Sequence, residues 1–235
     1  MDHCATCFVR NRAICSALEA EEVSALGRIG RHHRLVPGQT LIWEGEDSML
    51  VANVIDGVLK LSTSLSDGRE QIVGVVYPSD FIGRPFGTRV QHNVTALTDA
   101  HVCTFSSSDF ERFARQHPEL EHKLLERTLG ELDRTRRWLL LLGRMTASEK
   151  LANFLLDMSE RLTPAGGCGG NGPADGFDLP FGRQQIADIL GLTIETVSRR
   201  LNDFKAQKII AVPSRRRIDI LDRTALNDIA ANATL

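Results

Sequence analysis

Residues Gly182 to Leu201 read Gly-Arg-Gln-Gln-Ile-Ala-Asp-Ile-Leu-Gly-Leu-Thr-Ile-Glu-Thr-Val-Ser-Arg-Arg-Leu. Ile186, Leu190 and Val197 sit at helix-contact spacing, Ala187 is small where two helices would cross, and Gly191 can take the left-handed conformation of a tight turn. Thr193 offers a capping oxygen to a second helix, and Glu195 places negative charge in its first turn, where the helix dipole favours it. The stretch therefore predicts a helix-turn-helix. A recognition helix reads from its N-terminal end, which puts Glu195, Ser198 and Arg199 at base edges and Thr196 near phosphates. Arg199 can hold guanine O6 and N7 with two hydrogen bonds, and Glu195 can accept from a cytosine amine.

The flanking sequence agrees. Ile209 to Val212 and Ile218 to Leu221, joined through Pro213-Ser214, predict a β-hairpin wing whose basic tip, Arg215, Arg216 and Arg217, would meet phosphate. Between Arg183 and Arg217 there are eight basic residues against three acidic ones, in a chain of formal net charge −2. Charge gathered at one end of a mildly acidic chain implies double-stranded DNA as partner.

Upstream, Leu125, Thr128, Leu132, Thr135, Leu139 and Leu142 alternate at intervals of three and four, an a/d seam on a helix beginning near Pro118. Charged residues cover its other faces, so the narrow stripe suits an identical helix of a second copy. The two threonines would make that homodimer less tight than an all-leucine seam. Ser148 to Leu162 predicts a further helix, and the glycine- and proline-rich Thr163 to Asp178 a surface loop.

Before Pro118 the period falls to two. Thr40 to Glu44, Met49 to Ile55, Val58 to Leu65, Glu70 to Tyr77, Val94 to Leu97 and His101 to Phe105 are short apolar or alternating runs, separated by Pro37-Gly38, Asp56-Gly57, Asp67-Gly68 and Pro78-Ser79. They predict an antiparallel sandwich or roll, preceded by a short helix over Leu18 to Ile29. The fold class is α+β: residues 1–20 a cysteine-rich segment, 21–117 an antiparallel β-roll, 118–146 the dimerisation helix and 147–235 a winged helix-turn-helix domain. With 42% hydrophobic residues the chain can fill both cores.

Cys4, Cys7 and Cys15 form C-x2-C-x7-C on one short segment, and Cys103 lies on the last predicted strand of the roll. Four thiolates are what an iron–sulfur cube or a tetrahedral zinc ion needs. The start Met-Asp-His-Cys has no secretory pattern, and no window is apolar enough to span a membrane, so a cytoplasmic location is expected, where grouped cysteines bind metal more often than they form disulfides. Phe8 and Ile14, beside ligands, are candidates to shield the centre. Cys168, in a glycine run, is read as incidental, and the seven histidines show no ligand spacing. No general-base constellation accompanies the cysteines, which argues against an enzyme.

Roll, long helix and winged helix-turn-helix in this order resemble the CRP/FNR superfamily of bacterial regulators over nearly the whole chain. Pro37-Gly-Gln-Thr-Leu-Ile-Trp-Glu-Gly-Glu and Asp67-Gly-Arg-Glu-Gln-Ile-Val-Gly resemble its sensory roll, a jelly roll of the cyclic-nucleotide-binding type. Glu195-Thr-Val-Ser-Arg resembles the E-x-x-S-R motif of the FNR branch, whose members read TTGAT-like half-sites in an inverted repeat. The cysteine set matches that branch's oxygen-labile [4Fe-4S] ligands, with the spacing of its FnrN/FnrL/Anr-type members. The resemblance implies an oxygen-responsive activator that works with RNA polymerase, its cluster passing through [2Fe-2S] to the cluster-free form in air. Where relatives cradle a cyclic nucleotide phosphate, this chain has Ser79-Asp-Phe-Ile-Gly and Gln91-His-Asn-Val-Thr-Ala, with no arginine in the second stretch. No cyclic nucleotide is expected. Arg84-Pro85 also departs from the family's loop at a surface expected to meet polymerase.

Overall fold

The computed structural model describes residues 4, 6–64, 70–87, 89–162 and 175–231. The chain divides into two compact units, Met1–Asp133 and Arg134–Leu235.

In the first unit a 3-10 turn (Ile14–Ala17) leads to helix α1 (Ala20–Ile29) and strands β1 (Arg31–Leu35), β2 (Thr40–Ile42), β3 (Leu50–Asp56), β4 (Leu59–Ser64), β5 (Glu70–Val76), β6 (Phe81–Ile82), β7 (Asn93–Ala96) and β8 (Ala100–Ser106). Helices α2 (Ser107–Ala114) and α3 (Pro118–Arg144) follow, the latter running across the division between the units. The strands form two antiparallel sheets, ordered β1-β8-β3-β6 and β2-β7-β4-β5. Leu35, Ile42, Val54, Leu59, Val94 and Val102 fill the space between them. The roll expected from the sequence is present.

Strand alternation places the candidate ligand. On β8, Ala100 and Val102 enter the roll core, so Cys103 and Phe105 emerge on the opposite face. On β3, Ala52 and Val54 likewise turn inward and leave Val51, Asn53 and Ile55 outside. That outer face is covered by the cysteine segment, α1, α2 and the first turns of α3. Gly57 shows why the Asp56-Gly57 turn needs glycine: its φ is +84°, and a Cβ there would lie 2.3 Å from the Asp99 carbonyl.

Three elements of this unit escape the periodicity argument. β1 is Arg-His-His-Arg-Leu, four of its five residues exposed, and exists because it pairs with β8 along its length. β6 has only two residues. α2 is fixed by Ser106, whose side chain caps the Asp109 N–H at 3.1 Å, and by fully buried Phe110.

The second unit contains α4 (Ala147–Arg161), β9 (Gly176–Asp178), α5 (Arg183–Leu190), α6 (Ile194–Ala206), β10 (Ile210–Ala211), β11 (Arg217–Ile220) and α7 (Arg223–Ala231). Leu151, Phe154, Leu155, Phe181, Leu190, Leu201 and Ile210 are its largest fully buried side chains, and the Phe154 and Phe181 rings meet at 5.8 Å. The wing has three strands, ordered β10-β11-β9. The predicted loop Thr163 to Asp178 is thus wrong at its end: Gly176–Asp178 pairs with β11 and buries Phe177, an anchor of one apolar residue too short to show a period. Among the described residues no helix is long and apolar enough to cross a membrane.

Candidate metal centre and nucleic-acid interface

The three N-terminal cysteines are set by a succession of tight turns. Arg10 N–H donates to the Cys7 carbonyl at 3.2 Å and Ala13 N–H to the Val9 carbonyl at 2.8 Å, which turns Val9 and Ala13 inward onto Ile55 with Cys7 and Cys103 packed against them. Ile14 and Leu18 enter a larger apolar cluster with Val23, Leu26, Val51, Phe105 and Phe110, on which Cys4, Cys15 and Cys103 pack. All four cysteines consequently line one cavity of about 30 Å³, floored by Leu26, Ile55 and Phe105. Gly30 permits this approach, since a Cβ there would lie 2.8 Å from the Phe105 ring and 3.2 Å from Cys103 Sγ.

The cavity is hostile to lone thiolates. Burial first, then the neighbouring Cys4 and Cys7 sulfurs, pushes the Cys15 thiol up to about 12, against an ordinary 9.0. Cys103 rises to about 12 for the same first reason, followed by the charges of Cys15, Cys4 and Cys7. At neutral pH both thiols are protonated, so a metal binding here would have to displace protons. The same shifts predict a pH dependence of metal-free stability. Below pH 9 folded and unfolded chains both hold these protons, and between 9 and 12 the unfolded chain releases protons that the folded one keeps. Stability therefore falls as pH rises through that window. Thermal melts of the reduced, metal-free protein should show the decline, and it should be shallower in Cys15→Ser with Cys103→Ser.

Three further side chains line the cavity: Arg10, His32 and Asn53. Arg10 brings positive charge that acts to lower the Cys15 thiol, and Asn53 Nδ2 donates to Cys15 Sγ at 3.6 Å. Sequence reasoning passed over Arg10 and Asn53 and set His32 aside with the other histidines; an asparagine inside an otherwise apolar strand is the available signal for Asn53. His32 Nδ1 lies 3.0 Å from His101 Nε2. Neither proposed shielding residue lines the cavity itself: Ile14 is fully buried in the adjoining apolar cluster, while Phe8 is 67% exposed beside buried Val9. The histidines show no ligand spacing in the sequence, but the fold brings His117 Nδ1 to 3.2 Å from a Glu22 carboxylate and 3.3 Å from that of Glu119. Cys168 lies outside the described residues.

In the second unit, α5 ends at Gly191 in the left-handed conformation, φ +60° and ψ +43°. Thr193 caps α6, its hydroxyl accepting from the Thr196 N–H at 3.2 Å, a contact that contributes about 1 kcal/mol. Val197, Leu201 and Phe204 bury one face of α6, leaving Glu195 and Arg199 exposed and Ser198 and Thr196 half-exposed beside them. The Glu195 carboxyl is held below the usual range by its own backbone N–H and the Thr193 side chain, so it stays ionised as an acceptor. Arg215 and Arg216 are exposed at the wing tip. Arg217 differs from expectation: its guanidinium turns back onto Asp219 at 2.9 Å and Asp178 at 3.4 Å, which balances its charge within the sheet.

Along α3, Leu125, Leu132 and Leu139 are 55%, 42% and 65% exposed, and Thr128 and Thr135 share their stripe. Thr128 Oγ1 donates to the Leu124 carbonyl of its own helix at 2.8 Å, which takes the hydroxyl out of the seam's polarity. Leu142, the last seam residue, is half-buried.

Family models match both the roll and the helix-turn-helix domain. A family model described as a Crp-like helix-turn-helix domain matches residues 149–229, and one described as a cyclic nucleotide-binding domain matches residues 32–117. The chain is 40% identical over 232 residues, 99% of its length and 93% of the relative's, to the transcriptional activator protein FnrL of Cereibacter sphaeroides. It is 37% identical over 228 residues to the nitrogen fixation regulation protein FixK of Bradyrhizobium diazoefficiens, covering 97% and 94% of the two chains. Among solved structures, FixK2 from Bradyrhizobium japonicum superposes with a TM-score of 0.77 at 32% identity, over 86% of this chain and 97% of that one.

Proposed function

We propose, starting from the fact that this chain belongs to the CRP/FNR family of transcription regulators, that it is an oxygen-responsive activator whose Cys4, Cys7, Cys15 and Cys103 hold a [4Fe-4S] cluster. One observation carries the reading: four thiols from two distant segments line a single cavity. The donor set is all thiol, which suits cluster iron. When bound, the cluster supplies the positive charge that lets these thiols ionise and a centre that oxygen can attack.

The chain's own residues link that centre to DNA. Cys4, Cys7 and Cys15 fasten the N-terminal segment to the outer face of β3 and β8, and the segment inserts Ile14 and Leu18 into the cluster that also buries Leu120 and Leu124 of α3. Fastened, it packs the start of the dimerisation helix; released, it withdraws two apolar partners from it. The exposed stripe of α3 then engages a second copy, and two recognition helices read the halves of an inverted TTGAT-like repeat. Glu195, Ser198 and Arg199 meet bases; Thr196, Arg215 and Arg216 meet phosphates, with Arg217 bracing the wing. A monomer loses the gain of a tethered second half-site. The dimer on DNA recruits RNA polymerase in the cytoplasm.

The roll serves as scaffold rather than as a nucleotide receptor. In the stretch that would cradle phosphate, His92 bonds Thr63 at 2.9 Å, Asn93 accepts from the Glu44 N–H at 2.9 Å and Thr95 bonds Thr40 at 3.0 Å, and no arginine is present.

Purification without oxygen tests the reading. Iron and acid-labile sulfide should be present, with visible thiolate–iron absorption that bleaches in air while sedimentation falls from dimer toward monomer and DNA affinity drops. A colourless, zinc-containing dimer that binds DNA equally in air would replace this reading with a structural zinc site.

A further inference from the structure

β3 buries both its faces, and Val51, Ala52, Val54 and Ile55 are the residues such a strand calls for. Asn53 stands in their midst with only 3% of its surface exposed. Burying an amide is unfavourable unless its polar atoms are partnered. Its Oδ1 has no hydrogen-bond partner among the described residues, and its Nδ2 has one, the Sγ of Cys15 at 3.6 Å. Pairing places Asn53 directly opposite Cys103 across the β3/β8 ladder, so the amide projects on the face where that thiol emerges. An aliphatic side chain would fill the position without leaving an orphaned carbonyl.

We infer that Asn53 is a positioning residue of the metal centre, holding the Cys15 sulfur by an amide hydrogen bond; the inference rests on the cluster reading above. Cys15 sits on a single 3-10 turn, a short element with little rigidity of its own, whereas Asn53 belongs to a central strand of the roll. The bond therefore ties the least constrained part of the ligand set to a rigid one. An ionised sulfur only accepts, so it matches the Nδ2 end of the amide. Drawing negative charge from a ligand sulfur raises the reduction potential of the group it holds, and such supporting bonds govern metal retention.

The test compares the anaerobically purified wild type with Asn53→Leu and Asn53→Asp. Leu fills the site without a donor, and Asp adds an acceptor and negative charge. Asn53→Leu should show a lower midpoint potential and about tenfold faster loss of iron to a chelator, with Asn53→Asp losing it faster still. Circular dichroism of the metal-free proteins checks that the roll persists. A second measurement needs no variant: in wild-type protein reconstituted in heavy water, the iron–thiolate stretching frequencies in resonance Raman spectra should shift as the amide deuterates. Unshifted wild-type frequencies, or wild-type potential and iron retention in Asn53→Leu, would overturn the inference and leave the cluster reading standing. A wild type that holds no iron fails the cluster reading first and takes this inference with it.

Discussion

Replacing any one of Cys4, Cys7, Cys15 or Cys103 by serine is expected to abolish both iron incorporation and anaerobic DNA binding. Serine oxygen is a harder, less acidic ligand than thiolate and matches cluster iron poorly, so three thiols and a hydroxyl do not retain it. The loss reaches DNA because the four thiols hold the same segment that packs Val9, Ala13, Ile14 and Leu18 on the outer face of the roll, and losing the cluster loosens that packing. Once unfastened, Ile14 and Leu18 no longer brace Leu120 and Leu124, and the seam at Leu125 to Leu142 opens. The monomer forgoes an effective-concentration gain on the order of 10²- to 10⁴-fold. Cys168→Ser should change neither property. Iron analysis and anaerobic mobility shifts decide the matter, and a wild-type iron content in Cys103→Ser would remove the fourth ligand from the assignment.

The legible parts of this chain are those in which one local rule acts alone. Gly191 and Thr193 do what a turn glycine and a capping threonine must, and α6 begins at Ile194 as that cap requires. The roll strands with apolar residues at period two fall within a residue or two of expectation. β1 has no apolar alternation because its outer residues meet solvent at a sheet edge, and pairing with β8 alone makes it a strand. β9 is formed by the wing it completes.

The site divides in the same way. Spacing indicated the four thiols, but not which other residues share their cavity, because Arg10, His32 and Asn53 reach it through packing of a turn segment on a strand face. Phe8 and Arg217 show the converse. Each stands beside functional positions in sequence, yet the phenyl ring is exposed beside buried Val9, and two carboxylates capture the guanidinium. Adjacency in sequence fixes neither orientation nor partner.

Arg199→Ala should weaken binding by about 1 to 3 kcal/mol per half-site against the preferred guanine and flatten discrimination at that base pair, because a bidentate base contact is lost. The structure supplies the conditions for such a contact: Arg199 is exposed, on the helix face opposite buried Val197 and Leu201, and within the first two turns from the capped N-terminus. Arg200 is a built-in contrast, since its guanidinium is 3.0 Å from Asp203 on the same helix. Arg216→Ala, at the exposed wing tip, should instead lower affinity for every sequence alike and reduce the salt dependence by about one phosphate contact. Arg217→Ala should act differently again, through loss of its pairs with Asp178 and Asp219, and lower the stability of the wing. Anaerobic affinities for an inverted TTGAT repeat and its single-base variants, each at several salt concentrations, separate these roles. If Arg199→Ala lowered all affinities equally while Arg216→Ala altered base preference, α6 would not be the helix in the major groove.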